Sequence, residues 1–334
     1  MSIIQVSIII PTFNRSGMLI QTLNSLLLQD FPKEYFEVII VDNNSKDDTK
    51  QVIKKYIEDN HNKLNIKYTI EKRQGDIYAR HTGAYHAIGE ILIFTDDDAT
   101  FDTNWISEIV FVFKKFPSVG AVGTRISIKW DKKPPTWILN YESLLGKITY
   151  GENYTVQETG LFINNGSLAI LKKVFKEVNG NNPGQLKSFL VGDAEVGLCK
   201  KLHERKIPIA FTDNTTMWHH QFVRVNGTLK DIMRRVANNG IVQAYNDIVV
   251  CNNKPSYFIK EFFIQLLVIF KSICTVKRAK ILNSILTFHQ LRYRFIFNKR
   301  FRKDEVLIKM LNNRDWLFNE HYIGSKLIYD YKIN

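Results

Sequence analysis

Short apolar runs that alternate with segments of helical spacing confine this chain to an α/β architecture. Val6-Ser7-Ile8-Ile9-Ile10, Phe36-Glu37-Val38-Ile39-Ile40-Val41 and Ile91-Leu92-Ile93-Phe94-Thr95 have the length and β-branched content of buried strands. After the first, Leu19, Ile20, Leu23, Leu26 and Leu27 recur at helical spacing behind Ser16, a candidate N-cap. After the second comes a polar helix with Val52, Ile53, Tyr56 and Ile57 facing inward and Asp47 or Asp48 as its cap. Ile66 to Ile70 predicts a further short strand, and a helix carrying Ala79, Gly83, Ala84 and Ala87 leads into the third run. Small residues there let the helix approach the sheet closely. Strands joined through helices pair in parallel, so at least three parallel strands are expected within a mostly parallel central sheet.

The third run ends abruptly in Asp96-Asp97-Asp98. If the chain stays extended there, Asp96 and Asp98 project to one side, where two negative charges repel unless a cation lies between them. The carboxyl ends of parallel strands form the ligand crevice of α/β proteins, and hard oxygen ligands suit Mg²⁺ or Mn²⁺. The plain alternative is an acidic turn in water. Phosphatases, nucleases and nucleotide-sugar transferases all use such carboxylates. Neither G-x-G-x-x-G after the first strand nor G-x-x-x-x-G-K-[ST] is present, which argues against a dinucleotide dehydrogenase or a P-loop kinase.

The chain has 334 residues, 45% of them hydrophobic, enough for a substantial core. Cys199, Cys251 and Cys274 are few and widely separated, which fits a reducing compartment and excludes a cysteine-rich metal site. The start lacks a basic segment followed by an apolar one, so the cytoplasm is expected. The formal charge of +13 concentrates late: Lys254 to Lys303 holds 12 Lys or Arg against the single acid Glu261.

Beyond a helix expected from Trp105 to about Lys115 and a short strand at Val119 to Gly123, the stretch Ile128 to Gly166 reads as irregular. Phe189 to Glu195 opens another helix. Asp193 near its start can cap the helix, or, at a cleft mouth, accept a proton from an attacking hydroxyl. Glu195 points elsewhere and orients or solvates. In Met217-Trp218-His219-His220 two imidazoles stand side by side, and since neighbouring side chains diverge, one can bind metal while the other meets phosphate or substrate.

These segments, VSIIIPTFNR (6–15), VIIVDNNSKDDT (38–49), ARHTGAYHAIGEILIFTDDDA (79–99), VGDAEVGLCKKL (191–202) and WHH from Trp218, appear in an order that resembles the family 2 glycosyltransferases with the GT-A fold. The resemblance implies that Asp42 contacts nucleobase or ribose, Asp96 the sugar nucleotide and Asp97 donor hydroxyls, with Thr12, Arg15 and Arg80 lining or neutralising the donor site. It implies Asp98 and His219 as metal ligands and Asp193 as the base. His220, Arg224, Arg234 and Arg235 become candidate diphosphate or acceptor contacts, with Glu195 beside them. The family's usual Glu-Asp pair reads Gly192-Asp193 here, which retains the base and removes a neighbouring carboxylate.

The expected organisation is a nucleotide-sugar-binding half (1–125), an acceptor-binding and catalytic half (126–245) and a basic helical extension (246–334). The implied reaction is inverting transfer from a nucleoside-diphosphate sugar, UDP-linked by family weight, to a saccharide, lipid-linked or glycoconjugate acceptor, with Mn²⁺ or Mg²⁺ as cofactor. A metal-dependent sugar nucleotidyltransferase and a noncatalytic carbohydrate-binding assembly protein are the alternatives. In the extension, Phe258 to Phe270 is apolar but interrupted by Lys260, Glu261 and Gln265, too short for a conventional membrane span. It suits an anionic membrane surface on the inner face of the cell membrane, a buried hairpin or an oligomer contact. Nucleic acid is a poor account of the whole chain.

Overall fold

The computed structural model describes residues 4–182, 185–186, 189–190, 193–250, 256–274 and 278–303. Strand β1 (Val6–Thr12) leads into α1 (Ser16–Leu27), β2 (Phe36–Asp42), α2 (Thr49–Asn60), β3 (Ile66–Ile70), α3 (Asp76–His86) and β4 (Ile91–Thr95). These four strands lie side by side in the order β3-β2-β1-β4, all parallel, as the alternating pattern predicts. Ser16 does not cap α1: Arg15 is the N-cap residue, and the Ser16 hydroxyl donates to Asp48 at 3.0 Å. Alternating residues of the strands feed two cores. Ile8 and Ile10 pack with Leu19, Leu23 and Trp105 on one face, and Ile9 packs with Ala79, Phe94 and Phe175 on the other. Gly83 shows why α3 needs small residues, because a Cβ there would fall 2.4 Å from Ile9 Cγ2.

The chain continues through β5 (Ala99–Phe101), α4 (Trp105–Lys115), β6 (Ala121–Trp130), a 3₁₀ segment (Thr136–Leu145), β7 (Tyr154–Gln157), β8 (Ser167–Leu171) and α5 (Lys172–Glu177). Then follow β9 (Gln185–Leu186), β10 (Phe189–Leu190), α6 (Ala194–Glu204), β11 (Ile209–Gln221), α7 (Val223–Asn226) and α8 (Leu229–Tyr245). The main sheet runs β3-β2-β1-β4-β8-β6-β11-β5, with β7 also on β11. It is mixed, which corrects the expectation of a mostly parallel sheet. β8 runs antiparallel to both β4 and β6, and β11 is antiparallel to β5 and β7 while parallel to β6. Between β6 and β8 the chain makes only a 3₁₀ segment and short β7. No α-helix lies in that connection to carry the chain back across a sheet face as in a βαβ unit, and β8 enters reversed. The stretch read as irregular from Ile128 to Gly166 thus contains the end of β6, a 3₁₀ segment and β7.

A helical extension follows. Ile232 and Val236 of α8 share a small core with Ile138, Leu145 and Leu286. Helix α9 (Ser256–Cys274) is joined to α10 (Arg278–Lys303) by Phe262, whose ring meets Phe288 and Phe295. Among the described residues no helix is long and apolar enough to cross a membrane. Val191, Gly192, Lys254 and the end of the predicted extension, 304–334, lie outside the described residues.

Candidate active site

The register of the sheet assembles the site. Thr12 of β1 stands opposite Asp42 of β2, so both occupy carboxyl ends of parallel strands. β4 stops at Thr95, and Asp97 and Asp98 form a turn before β5. His219 of β11 pairs with Ala99 of β5, while the His220 amide donates to the Asp98 carbonyl at 2.9 Å. One ligand atom from each of Asp96, Asp98 and His219 therefore falls within 4.8 Å of the others. A turn produces this convergence, in place of the extended alternation that the sequence predicts.

Cations hold the carboxylates together. Arg80, buried on α3, donates to Asp96 Oδ1 at 2.5 Å and to the carbonyls of Thr95 and Asn165. Its guanidinium is thus committed beneath the acidic turn. The more exposed Arg15 bridges Asp97 Oδ1 at 3.2 Å and Asp98 Oδ2 at 2.9 Å. Asp97 also accepts from the Thr12 hydroxyl at 2.7 Å. Burial, reinforced by the charges of Asp98 and Asp96 and opposed by Arg15, pushes the Asp97 carboxyl up to about 6. Burial also works against a charged Asp98, but the His219 contact and Arg15 outweigh it and hold the carboxyl below its ordinary range. The reverse holds for His219, where burial favours the neutral ring and Asp98 prevails, raising it.

The His219 ring is fixed from behind. Its Nδ1 lies 2.9 Å from the Leu145 carbonyl, at the end of the 3₁₀ segment that Gly146 terminates with φ +99°. Nε2 on the other side of the ring points at Asp98 Oδ1, 3.2 Å away, and lies 2.9 Å from the Gln221 amide nitrogen. A backbone carbonyl behind an imidazole is a common support for a metal-ligating histidine. Asp98 Oδ1 is buried without a well-aligned hydrogen-bond donor. An orphaned carboxylate oxygen facing an oriented imidazole, with a second carboxylate beside it, fits a hard divalent cation such as Mn²⁺ or Mg²⁺.

A cleft of about 660 Å³ opens above these groups. Thr12, Arg15, Arg80, Asp96, Asp97, Asp98, His219, His220 and Arg235 of the predicted site all line it. His220 is tied to the Thr100 hydroxyl at 2.9 Å, and Arg235 to Asp231 at 2.7 Å and to the Leu144 carbonyl. Asp42 is buried just beneath, accepting from Tyr68 and the Ser45 amide. Arg224 is exposed on α7, and Arg234 pairs with Asp231 while bordering a separate apolar groove. Neither lines the cleft. Asp193 does not line it either: it is 4% exposed, accepting from Asn182 Nδ2 at 2.8 Å and from Lys200 Nζ at 3.0 Å.

Glu195 is closer to the acidic turn than its sequence position indicates. Asn164 and Asn165, beside the Arg80 contact, donate to its two oxygens at 3.3 and 3.2 Å. Burial, with the charges of Asp76 and Asp96 acting against Arg80, pushes this carboxyl up to about 7. Asn43, Gln74, Gln221, Phe222 and Val225 also line or support the cleft without having been singled out as site residues. For Asn43 a signal existed in the polar run after β2, because its side chain bonds Gly75 N and the Arg73 carbonyl, joining two loops.

The model of glycosyl transferase family 2 matches residues 7–178, more than half of the chain. Poly(ribitol-phosphate) beta-N-acetylglucosaminyltransferase TarS of Staphylococcus aureus is 40% identical over 147 residues, covering 40% of this chain and 25% of TarS. Glycosyltransferase AglE of Haloferax volcanii is 35% identical over 102 residues, covering 30% of this chain and 33% of AglE. The chain thus spans a quarter to a third of these relatives. By fold it is similar to the crystal structure of S. aureus TarS 1-349, with a TM-score of 0.51, 18% identity and coverage of 90% and 92%. It is also similar to mannosyltransferase PcManGT from Pyrobaculum calidifontis in complex with GDP-Man and Mn2+, at a TM-score of 0.58 and 19% identity, covering 88% and 87%. With its GT-A-like sheet and the family model covering just over half of its length, the chain belongs to glycosyl transferase family 2.

Proposed function

We propose that the protein is an inverting glycosyltransferase that moves a sugar from a nucleoside-diphosphate donor, preferentially UDP-linked, to a saccharide, lipid-linked or glycoconjugate acceptor. The observation that carries this reading is the convergence of Asp96, Asp98 and His219 in an open cleft at the strand ends. The similarity to TarS, a beta-N-acetylglucosaminyltransferase, supports the sugar-transfer class.

A divalent cation held by Asp98 and His219, with Asp96 adjacent, would offset charge developing on the departing diphosphate. Arg15 lies where it can exchange part of its contact with Asp97 and Asp98 for phosphate oxygens. Asp97, held by Thr12, is the proposed partner of donor hydroxyls, and Asp42 the proposed partner of the nucleoside, a role that asks it to release its Tyr68 or Ser45 contact. Asp193 is the proposed base. The role asks it to exchange the Asn182 or Lys200 contact for an acceptor hydroxyl, whose oxygen attacks the anomeric carbon from the face opposite the leaving group. One displacement inverts the anomeric configuration.

Donor binding and turnover should be measured together across UDP-, GDP- and dTDP-sugars with Mn²⁺ or Mg²⁺. Asp98→Asn is expected to weaken metal-dependent donor binding by about 10- to 100-fold. Asp193→Asn is expected to keep donor affinity while lowering transfer by about 100-fold or more. Normal transfer by Asp193→Asn removes that residue from the base role, and unchanged metal titration of Asp98→Asn removes the cation from Asp98.

A further inference from the structure

Helix α9 carries an apolar surface that is exposed among the described residues. Phe262 and Ile269 are partly buried, and Phe262 packs on α10. Phe263, Leu267 and Phe270, spaced four and three residues apart, are 60%, 63% and 68% exposed. Ile264, Leu266 and Val268 flank them, and Phe295 and Ile296 of α10 are 45% and 43% exposed. Side chains at i, i+4 and i+7 share one helix face, so these rings and branches form a continuous stripe. A contiguous exposed stripe of large apolar groups marks a surface that meets something else.

Charge decides what that is. Exposed Lys260 and Lys271 bracket the stripe on α9, and exposed Arg292, Lys299 and Lys303 stand on α10. From Lys254 to Lys303 the only acid is Glu261. A second copy presenting the same face would bring like charges together around the apolar contact. A nucleic acid would satisfy the cations and leave Phe263, Leu267 and Phe270 against phosphate. One partner meets both features, because an anionic bilayer accepts apolar side chains below its headgroups and cations among them. We propose that the α9–α10 face docks the protein on an anionic lipid surface, with Phe263, Leu267 and Phe270 inserted and the flanking Lys and Arg among the headgroups. The helix lies along the surface, since no described helix can span one. This docking rests on surface chemistry and does not depend on which sugar the cleft takes.

The test is co-sedimentation of the full chain with phosphatidylcholine vesicles with and without phosphatidylglycerol, beside donor hydrolysis and light scattering on the same samples. The wild type is expected to pellet with the anionic vesicles and to be released by salt in part, since the inserted groups are apolar. Phe263→Ser/Leu267→Ser/Phe270→Ser and, separately, Lys260→Glu/Lys271→Glu/Lys299→Glu are expected to lower partitioning about 10-fold or more, with donor hydrolysis retained as the sign of an intact catalytic fold. Absence of pelleting by the wild type overturns the proposal. So does a serine variant that partitions like the wild type, or one whose only change is loss of a dimer by light scattering, which would make the stripe a contact between copies. Vesicle binding lost by the variants with hydrolysis retained supports docking, whereas a wild type that pellets with anionic vesicles, loses that binding in the variants and hydrolyses no donor supports docking and counts only against the reading of the cleft.

Discussion

Glu195 shows how far a side chain's chemistry can depart from what its neighbours in sequence indicate. Its carboxyl retains a proton up to about pH 7 because burial and the charges of Asp76 and Asp96 resist ionisation, whereas the ordinary value is 4.5. Between those limits the folded state binds more protons than the unfolded chain, so this group lowers stability as pH rises through the window and has no further effect above it. Glu195→Gln should therefore stabilise the metal-free protein at pH 8 by on the order of 1–3 kcal/mol. The gain should shrink as pH falls toward 4.5, which thermal melts across pH would show; a pH-independent difference would contradict the assignment. Nothing in the sequence announces this, because the two asparagines that bind Glu195 lie about thirty positions earlier. The acidic triplet, by contrast, was legible because like charges at a strand end demand a compensating partner. Its shape was not, since the backbone turns where extension was expected.

At the level of elements, the first four strands follow from hydrophobic runs and helical spacing because each is local in sequence. β8 and β11 do not, since their partners lie far away in the chain and no local βαβ rhythm sets their direction. Helix α3 offers the clearest test of an expectation that did hold, the need for small residues against the sheet. Replacing Gly83 with alanine would gain helix propensity of about 1 kcal/mol. It would also force a Cβ into the space of the branched Ile9 side chain and to within 3.1 Å of Val41. Ile9 is β-branched and fully buried, so it cannot swing aside, and overpacking costs about 1–3 kcal/mol. We expect Gly83→Ala to be net destabilising by about 1 kcal/mol in urea unfolding, with Gly83→Val worse. Equal or higher stability of the alanine variant would show that α3 can shift away from the sheet.

Across the whole molecule, the chemistry depends on strands far apart in the chain. Asp98 and His219 meet only because β11 returns to pair with β5, and β11 also joins β6 and β7. The region recognised as the family's signature ends at 178, before β11 begins at Ile209. A fragment of residues 1–178 is expected to show little cooperative unfolding and weak amide protection in β5, β6 and β7, read by circular dichroism and hydrogen exchange. A cooperative, protected fragment would show that the early strands sustain themselves. If it behaves as expected, the stretch by which kinship is detected is not a unit that folds: a splice or fusion made at that boundary would take β11 out from between β6 and β5 and leave the opened edges to seek strands from other chains.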